Sequence, residues 1–201
     1  MPSLRSDFTR FYSQMDGLLD LCANVAPLEA KYRKAVAEIA LIRGFDLLQG
    51  IFLIAVAKLT CGASYLDNTT ANVLLPARSQ ATALSNMSTH GRVKPKHRTQ
   101  WSKVSEIKDN CSFVIDTSEH FFTTLTYHSG LIDDMRNVRN RIAHNNRNSR
   151  QKYQLVVRRH YGAEMKHISP GTLLLSERFA RRLIDQYLTQ SKVLVKQMLK
   201  G

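Results

Sequence analysis

Cysteine is scarce and poorly placed for cross-linking. The three present, Cys22, Cys61 and Cys111, are odd in number and far apart, which excludes a disulfide framework and any Cys-x-x-Cys pair for zinc or redox work. A reducing compartment, the cytoplasm, is the expected location. Long apolar runs are missing too: the longest, Ile51 to Ala57, has seven residues, against the ~20 that cross a bilayer. Met1 to Gly17 contains Asp7, Arg10 and Asp16 and has no apolar stretch of signal-peptide length. No membrane partner is expected. The histidines at 90, 97, 120, 128, 144, 160 and 167 form no His-Glu-x-x-His pattern, and there is no glycine-rich phosphate loop of the Walker or dinucleotide type. Neither a metal nor another cofactor is therefore expected.

Acid is the most telling shortage. The chain has 16 Asp and Glu against 29 Lys and Arg, a formal net charge of +13 and a pI near 10.0. No acidic residue lies between Asn68 and Ser105, where Arg78, Arg92, Lys94, Lys96, Arg98 and Lys103 are all positive. None lies between Met135 and His160 either, a span with eight Lys or Arg. Like charges on neighbouring helical turns repel, and a polyanionic partner relieves that repulsion. Nucleic acid is the first candidate and an anionic membrane the second. A soluble cationic protein with no such partner has the same composition.

What is present is helical. With 201 residues, 43% hydrophobic and 22% charged, the chain is globular and is read as a single domain, 1–201. Phe8, Phe11, Met15, Leu18 and Cys22 recur at helical spacing after a cap at Ser6. Pro27 precedes one long helix from Leu28 to Thr60, ended by Gly62. Residues 63–100 lose periodicity and form a long basic loop or insertion, a length that is often functional. His90, His97 and Trp101 in that region offer rings for base stacking; a solvated loop is the other reading. Helical pattern returns over Ser102–Thr126, Ser129–Asn145, Tyr153–Arg159 and Ser176–Lys200, the last placing Phe179, Leu183, Ile184, Tyr187 and Leu188 on one face. Thr172–Leu175 reads as a strand, so a short β-hairpin is expected before the last helix. The fold class is all-α, a bundle of five or six helices.

One helix carries chemistry. Setting Leu131 at zero and advancing ~100° per residue places Met135, Val138 and Ile142 within roughly 40° of it, an apolar stripe. On the same scale Arg139 lies at about 80°, Ala143 at about 120°, Arg136 at about 140°, Asn140 at about 180° and His144 at about 220°. Asn140 and His144 stack at i and i+4. A histidine exchanges protons near neutral pH, and an arginine fork matches phosphate oxygens. A lone histidine at a helix end also serves as a solvated cap. On helix two, Glu38, Arg43 and Asp46 are polar among apolar neighbours and read as a structural ion pair or as support for a site arginine.

The segment Arg139-Asn140-Arg141-Ile142-Ala143-His144 resembles the Arg-x4-His ribonuclease signature of the HEPN superfamily, in the form where Asn follows the Arg and Ala precedes the His. The resemblance implies a HEPN-like helical bundle and a metal-independent endoribonuclease. It implies a homodimer in which two motif helices face each other across a composite site. Carried over to this chain, Arg139 holds the scissile phosphate, Asn140 orients a catalytic side chain, and His144 is the general acid or base. Arg136, Arg141 and Arg147 are expected to contact the RNA backbone. A toxin or antiviral-defence role, with a cognate antitoxin or other regulatory partner, is implied by the resemblance. Two other readings stand: a non-catalytic RNA-binding or assembly module of the same fold, and a helical adaptor for an acidic protein.

Overall fold

The structure, a computed structural model, describes residues 3–178 and 180–201. Helices follow the apolar periodicity, and the chain is all-α. The order is α1 (Arg5–Asn24), α2 (Ala30–Thr60), α3 (Gln80–Thr89), α4 (Val104–Cys111), α5 (His120–Tyr127), α6 (Ser129–Ala143), α7 (Arg147–Tyr161), α8 (Pro170–Leu175), β1 (Glu177–Arg178), β2 (Arg181–Arg182) and α9 (Leu183–Lys200). Nine helices among the described residues exceed the five or six expected, because short helices occupy segments whose sequence is nearly featureless.

The chain forms two compact units. One comprises Met1–Tyr12, Leu48–Ser129 and Val193–Gly201; the other comprises Ser13–Leu47 and Gly130–Lys192. Helices α1, α2 and α9 each supply a segment to both. In the first unit, Phe52, Val56 and Leu59 of α2 are buried, as are Ile107 and Cys111 of α4 and Phe121, Phe122 and Leu125 of α5. In the second unit, Leu41 and Phe45 of α2, Met135 and Val138 of α6, Tyr153 and Val157 of α7, and Ile184 and Leu188 of α9 are buried. Ser191 of α9 lies 3.4 Å from the Met135 sulfur.

Several boundaries differ from the sequence reading, each for a local reason. Helix α1 begins at Arg5, before Ser6, because Ser3 Oγ accepts the Arg5 N–H at 3.2 Å. Helix α2 runs 31 residues, about 46 Å, and stops before Gly62, whose φ of +84° closes a helix without a Cβ penalty. It is long and apolar enough by length and composition to cross a membrane, with a mean hydropathy of 1.9 over 18 residues, and half of that window is buried in the structure. The seven-residue run understates this helix because isolated polar residues interrupt a longer apolar stretch without lowering its mean hydropathy much.

The connection 63–100 is not structureless. Ser79 caps α3 by accepting the Thr82 N–H, and the flanking backbone is tied down: Leu66 N–H donates to Leu199 C=O at 2.8 Å and Ala77 N–H to Thr60 C=O at 2.9 Å. Ser102–Thr126 is two helices, because residues 112–119 leave helix to pair with 72–75: Leu74 N–H donates to Val114 C=O at 3.0 Å and Asp116 N–H to Asn72 C=O at 3.0 Å. Thr172–Leu175 is helical, capped by Ser169 with Pro170 in the first turn. The hairpin follows it, with Glu177 opposite Arg182 and Arg178 opposite Arg181. Helix α9 accordingly starts at Leu183; Phe179 lies outside the described residues.

Candidate functional site

Helix α6 carries Arg139 to Ala143, and His144 begins the short link to α7. The His144 N–H still donates to Asn140 C=O at 2.9 Å, so the residue keeps the helical direction. The link ends at Asn146, whose side chain accepts the Ser149 N–H at 2.8 Å, while Ser149 Oγ donates to His144 C=O at 2.6 Å. Two hydrogen bonds from one serine and its amide therefore fix the turn that presents His144. Its ring is exposed and makes no hydrogen bond among the described residues.

The expected core stripe is rotated by a fraction of a turn. Ile132, Met135 and Val138 are buried, whereas Leu131 and Ile142 are partly exposed. Asn137 joins the buried face, and its Oδ1 finds no partner among the described residues. Arg136 Nε and Arg139 Nε are likewise buried and unpartnered. Three orphaned polar atoms within four residues are unusual, because burying such a group without a partner costs ~1–3 kcal/mol. Asn137 does not stand out in the sequence, since a lone Asn on a helix carries no pattern.

The sequence candidates separate into three environments. Arg139 and Asn140 are adjacent, with Arg139 Nη1 donating to Asn140 Oδ1 at 3.4 Å. Arg141 Nη1 donates to Asn145 Oδ1 at 2.6 Å, and Arg147 is exposed in the first turn of α7. Arg136 instead pairs with Asp133 at 3.0 Å and is only 12% exposed, so its charge is largely answered within the chain. Arg159 pairs with Asp134. That leaves Arg139, Arg141, Arg147 and Arg150 on the two helices joined at His144, in a stretch, residues 135–160, with no carboxylate of its own. Arg147 and Arg150 also open α7, where the helix dipole disfavours cations and favours an anion.

On the helical projection Arg141 stands about 60° from His144, whereas Arg139 stands about 140° away. A single copy of the helix thus splits its two chemical residues across different flanks. Near the start of α6, burial pushes the Asp134 carboxyl up to about 6, outweighing the Arg159 guanidinium beside it. Glu38 does not pair with an arginine of the site; its Oε1 accepts the Gly171 N–H at 2.8 Å.

The basic loop is less available than its sequence implied. Trp101 is buried, 6% exposed, and its indole N–H donates to Thr99 Oγ1 at 3.2 Å, which removes it from any base-stacking role. Arg92 and Lys96 converge on Asp109, and Lys103 pairs with Glu106 at 2.9 Å. His90 and His97 remain exposed. The three cysteines are free, and burial pushes the Cys22 thiol up to about 11. No group of three or more His, Cys, Asp or Glu among the described residues is placed to hold a metal ion.

The fold and site define an all-α protein with an arginine-rich helix corner around one exposed histidine. Compared with known proteins, the chain matches no family model, no curated protein and no solved structure.

Proposed function

We propose that this protein is a metal-independent endoribonuclease of HEPN-like type, working as a homodimer in the cytoplasm. The observation that carries the reading is the α6–α7 corner. An exposed histidine there shares the corner with Arg139, Arg141, Arg147 and Arg150, in a stretch of chain, residues 135–160, that contains no carboxylate. A phosphodiester supplies the missing negative charge, and the histidine supplies the proton transfer that its cleavage requires.

The chemistry needs a base, an acid and a cation. One His144 removes the proton from an RNA 2′-hydroxyl, whose oxygen attacks the adjacent phosphorus. Arg139 neutralises the charge that builds on the phosphoryl oxygens, and Asn140 holds its guanidinium. The bond to the 5′-oxygen then breaks, and that oxygen takes a proton from the second copy's His144. The products are a 2′,3′-cyclic phosphate, which water opens to a 3′-phosphate, and a 5′-hydroxyl. DNA resists because it lacks the nucleophile. Two copies are required because each chain contributes one motif histidine. A toxin or defence role with a cognate regulator follows from the resemblance alone.

Purified protein incubated with structured RNA in EDTA is expected to cut it, and Arg139→Ala and His144→Ala are each expected to lower the rate by at least ~100-fold. Cleavage that survives both substitutions, or that EDTA abolishes, removes the mechanism. RNA bound by all three proteins and cut by none establishes the non-catalytic binding module instead.

A further inference from the structure

The corner also encloses a cleft that the motif does not explain. The end of α6, the first two turns of α7 and the segment leading into α8 surround about 560 Å³, walled by Arg141, Arg150, Lys166 and His167 together with Tyr153 and Gln154. That volume lies in the range that holds a ligand of nucleotide size. No carboxylate lines it. Glu38, whose field reaches Tyr153, is occupied by the Gly171 N–H.

The cleft is built rather than incidental. The Tyr153 hydroxyl donates to Ile168 C=O at 3.0 Å, which ties the 166–170 segment to α7 and sets the floor. Asn145 steadies the Arg141 guanidinium, so one cation is already positioned before a ligand arrives. Gln154 Oε1 is buried and unpartnered. An acceptor at that place is unsuited to phosphate and suited to a hydroxyl or amino donor. Three cations and one orphaned acceptor together match a nucleotide, with its anionic phosphate and its donor-bearing ribose and base.

We propose that this cleft is a subsite for the RNA nucleotide next to the scissile phosphate. Arg141, Arg150 and Lys166 hold its phosphate, Gln154 accepts from its ribose or base, and His167 stacks on the base. The cleft opens on the His144 flank of α6, since Arg141 stands about 60° from His144 around the helix and about 160° from Arg139. The assignment of the scissile phosphate rests on the ribonuclease reading; binding in the cleft does not.

The test uses the full chain in a His144→Ala background, which binds without cutting. A fluorescein-labelled, unstructured 12-nucleotide RNA is titrated by anisotropy from ~50 to ~300 mM salt. Adding Arg150→Ala and Lys166→Ala is expected to weaken binding about tenfold at low salt and to flatten the salt slope by ~0.7 for each phosphate no longer neutralised. Lys196→Ala, an exposed cation on α9 outside the cleft lining, is expected to leave both unchanged. Gln154→Leu is expected to weaken binding with no change of slope. Both cleft cations are exposed, and a matching Tm shows that the fold is intact. Unchanged affinity and slope in the double variant overturn the subsite, even where the wild-type protein cuts RNA. Weakened binding in the double variant, with a wild-type protein that never cuts, supports the subsite and overturns the ribonuclease reading alone.

Discussion

At the residue scale, the motif helix carries a poorly solvated acid near its start and leads into a solvated histidine at its end. Asp134 lies beside Asp133 and the Arg159 guanidinium, with the Tyr187 ring close enough to feel its charge. Because burial raises its carboxyl from 3.8 to about 6, the folded state holds a proton that the unfolded chain has released. Stability from this group is therefore lost as pH rises from about 4 through about 6 and is flat above, at up to ~1.4 kcal/mol per pH unit. Asp67, Asp109 and Asp116, all held below the usual carboxylate range by hydrogen bonds, act in the opposite sense below that window. Urea unfolding of Asp134→Asn and wild type at pH 4.5 and 6.5 isolates the one group. The variant is expected to gain roughly 1–2 kcal/mol on wild type over that interval, and parallel profiles contradict it. The pattern Arg139-x4-His144 was legible in sequence because its members lie within six consecutive residues. Arg150, Gln154, Lys166 and His167 were not, since the fold gathers them from one helix and a loop. Nor was the pairing of Arg136 with Asp133, because spacing alone does not show which partner a long side chain takes.

At the scale of elements, legibility follows length and amphipathicity. Helices α1, α2, α6 and α9 run 15 to 31 residues; α1, α6 and α9 carry apolar stripes that a helical projection reveals, and α2 shows by its length and apolar content. Helix α3 hides because its sequence, QATALSNMST, is small and polar, and only the Ser79 cap marks its start. The break between α4 and α5 hides for another reason: Cys111, Val114 and Ile115 are all buried, so the apolar spacing persists through a segment whose amides turn aside to bond with residues 72–75. Helix α8 is too short to show a period, and its position depends on close approach to α2. A Cβ on Gly171 stands 2.7 Å from Lys34 Cβ and 3.0 Å from the Lys34 carbonyl oxygen, and the Gly171 N–H is already committed to Glu38. Gly171→Ala is therefore expected to lift α8 and cost ~1–3 kcal/mol, with a matching fall in Tm. Gly130→Ala, where nothing lies within 4 Å of the added carbon, serves as the control and is expected to be neutral or slightly stabilising. Equal Tm values for the two variants contradict the tight α8–α2 packing.

At the scale of the whole molecule, the net charge of +13 favours polyanions at a distance, and on the proposed ribonuclease reading assembly decides whether the chain cuts one. Phosphodiester transfer needs one group to accept a proton and another to donate one in the same event. Each motif holds a single histidine, and its own Arg139 lies about 140° away around α6. On that reading a second copy supplies both missing groups, and a two-fold axis would make the same surface serve each partner. Subunit mixing tests this without reference to the RNA target. Tagged wild-type protein co-expressed with a tenfold excess of His144→Ala is distributed mainly into mixed dimers. Where both histidines are needed, cleavage per wild-type subunit is expected to fall to roughly one tenth, the fraction that pairs with itself. Where each subunit carries a complete site, cleavage per wild-type subunit stays constant at every ratio. The mixed dimer still carries two copies of Arg139, Arg141, Arg150 and Lys166, so its RNA affinity is expected to match wild type. A loss of turnover at unchanged affinity therefore assigns the missing function to the second histidine rather than to binding.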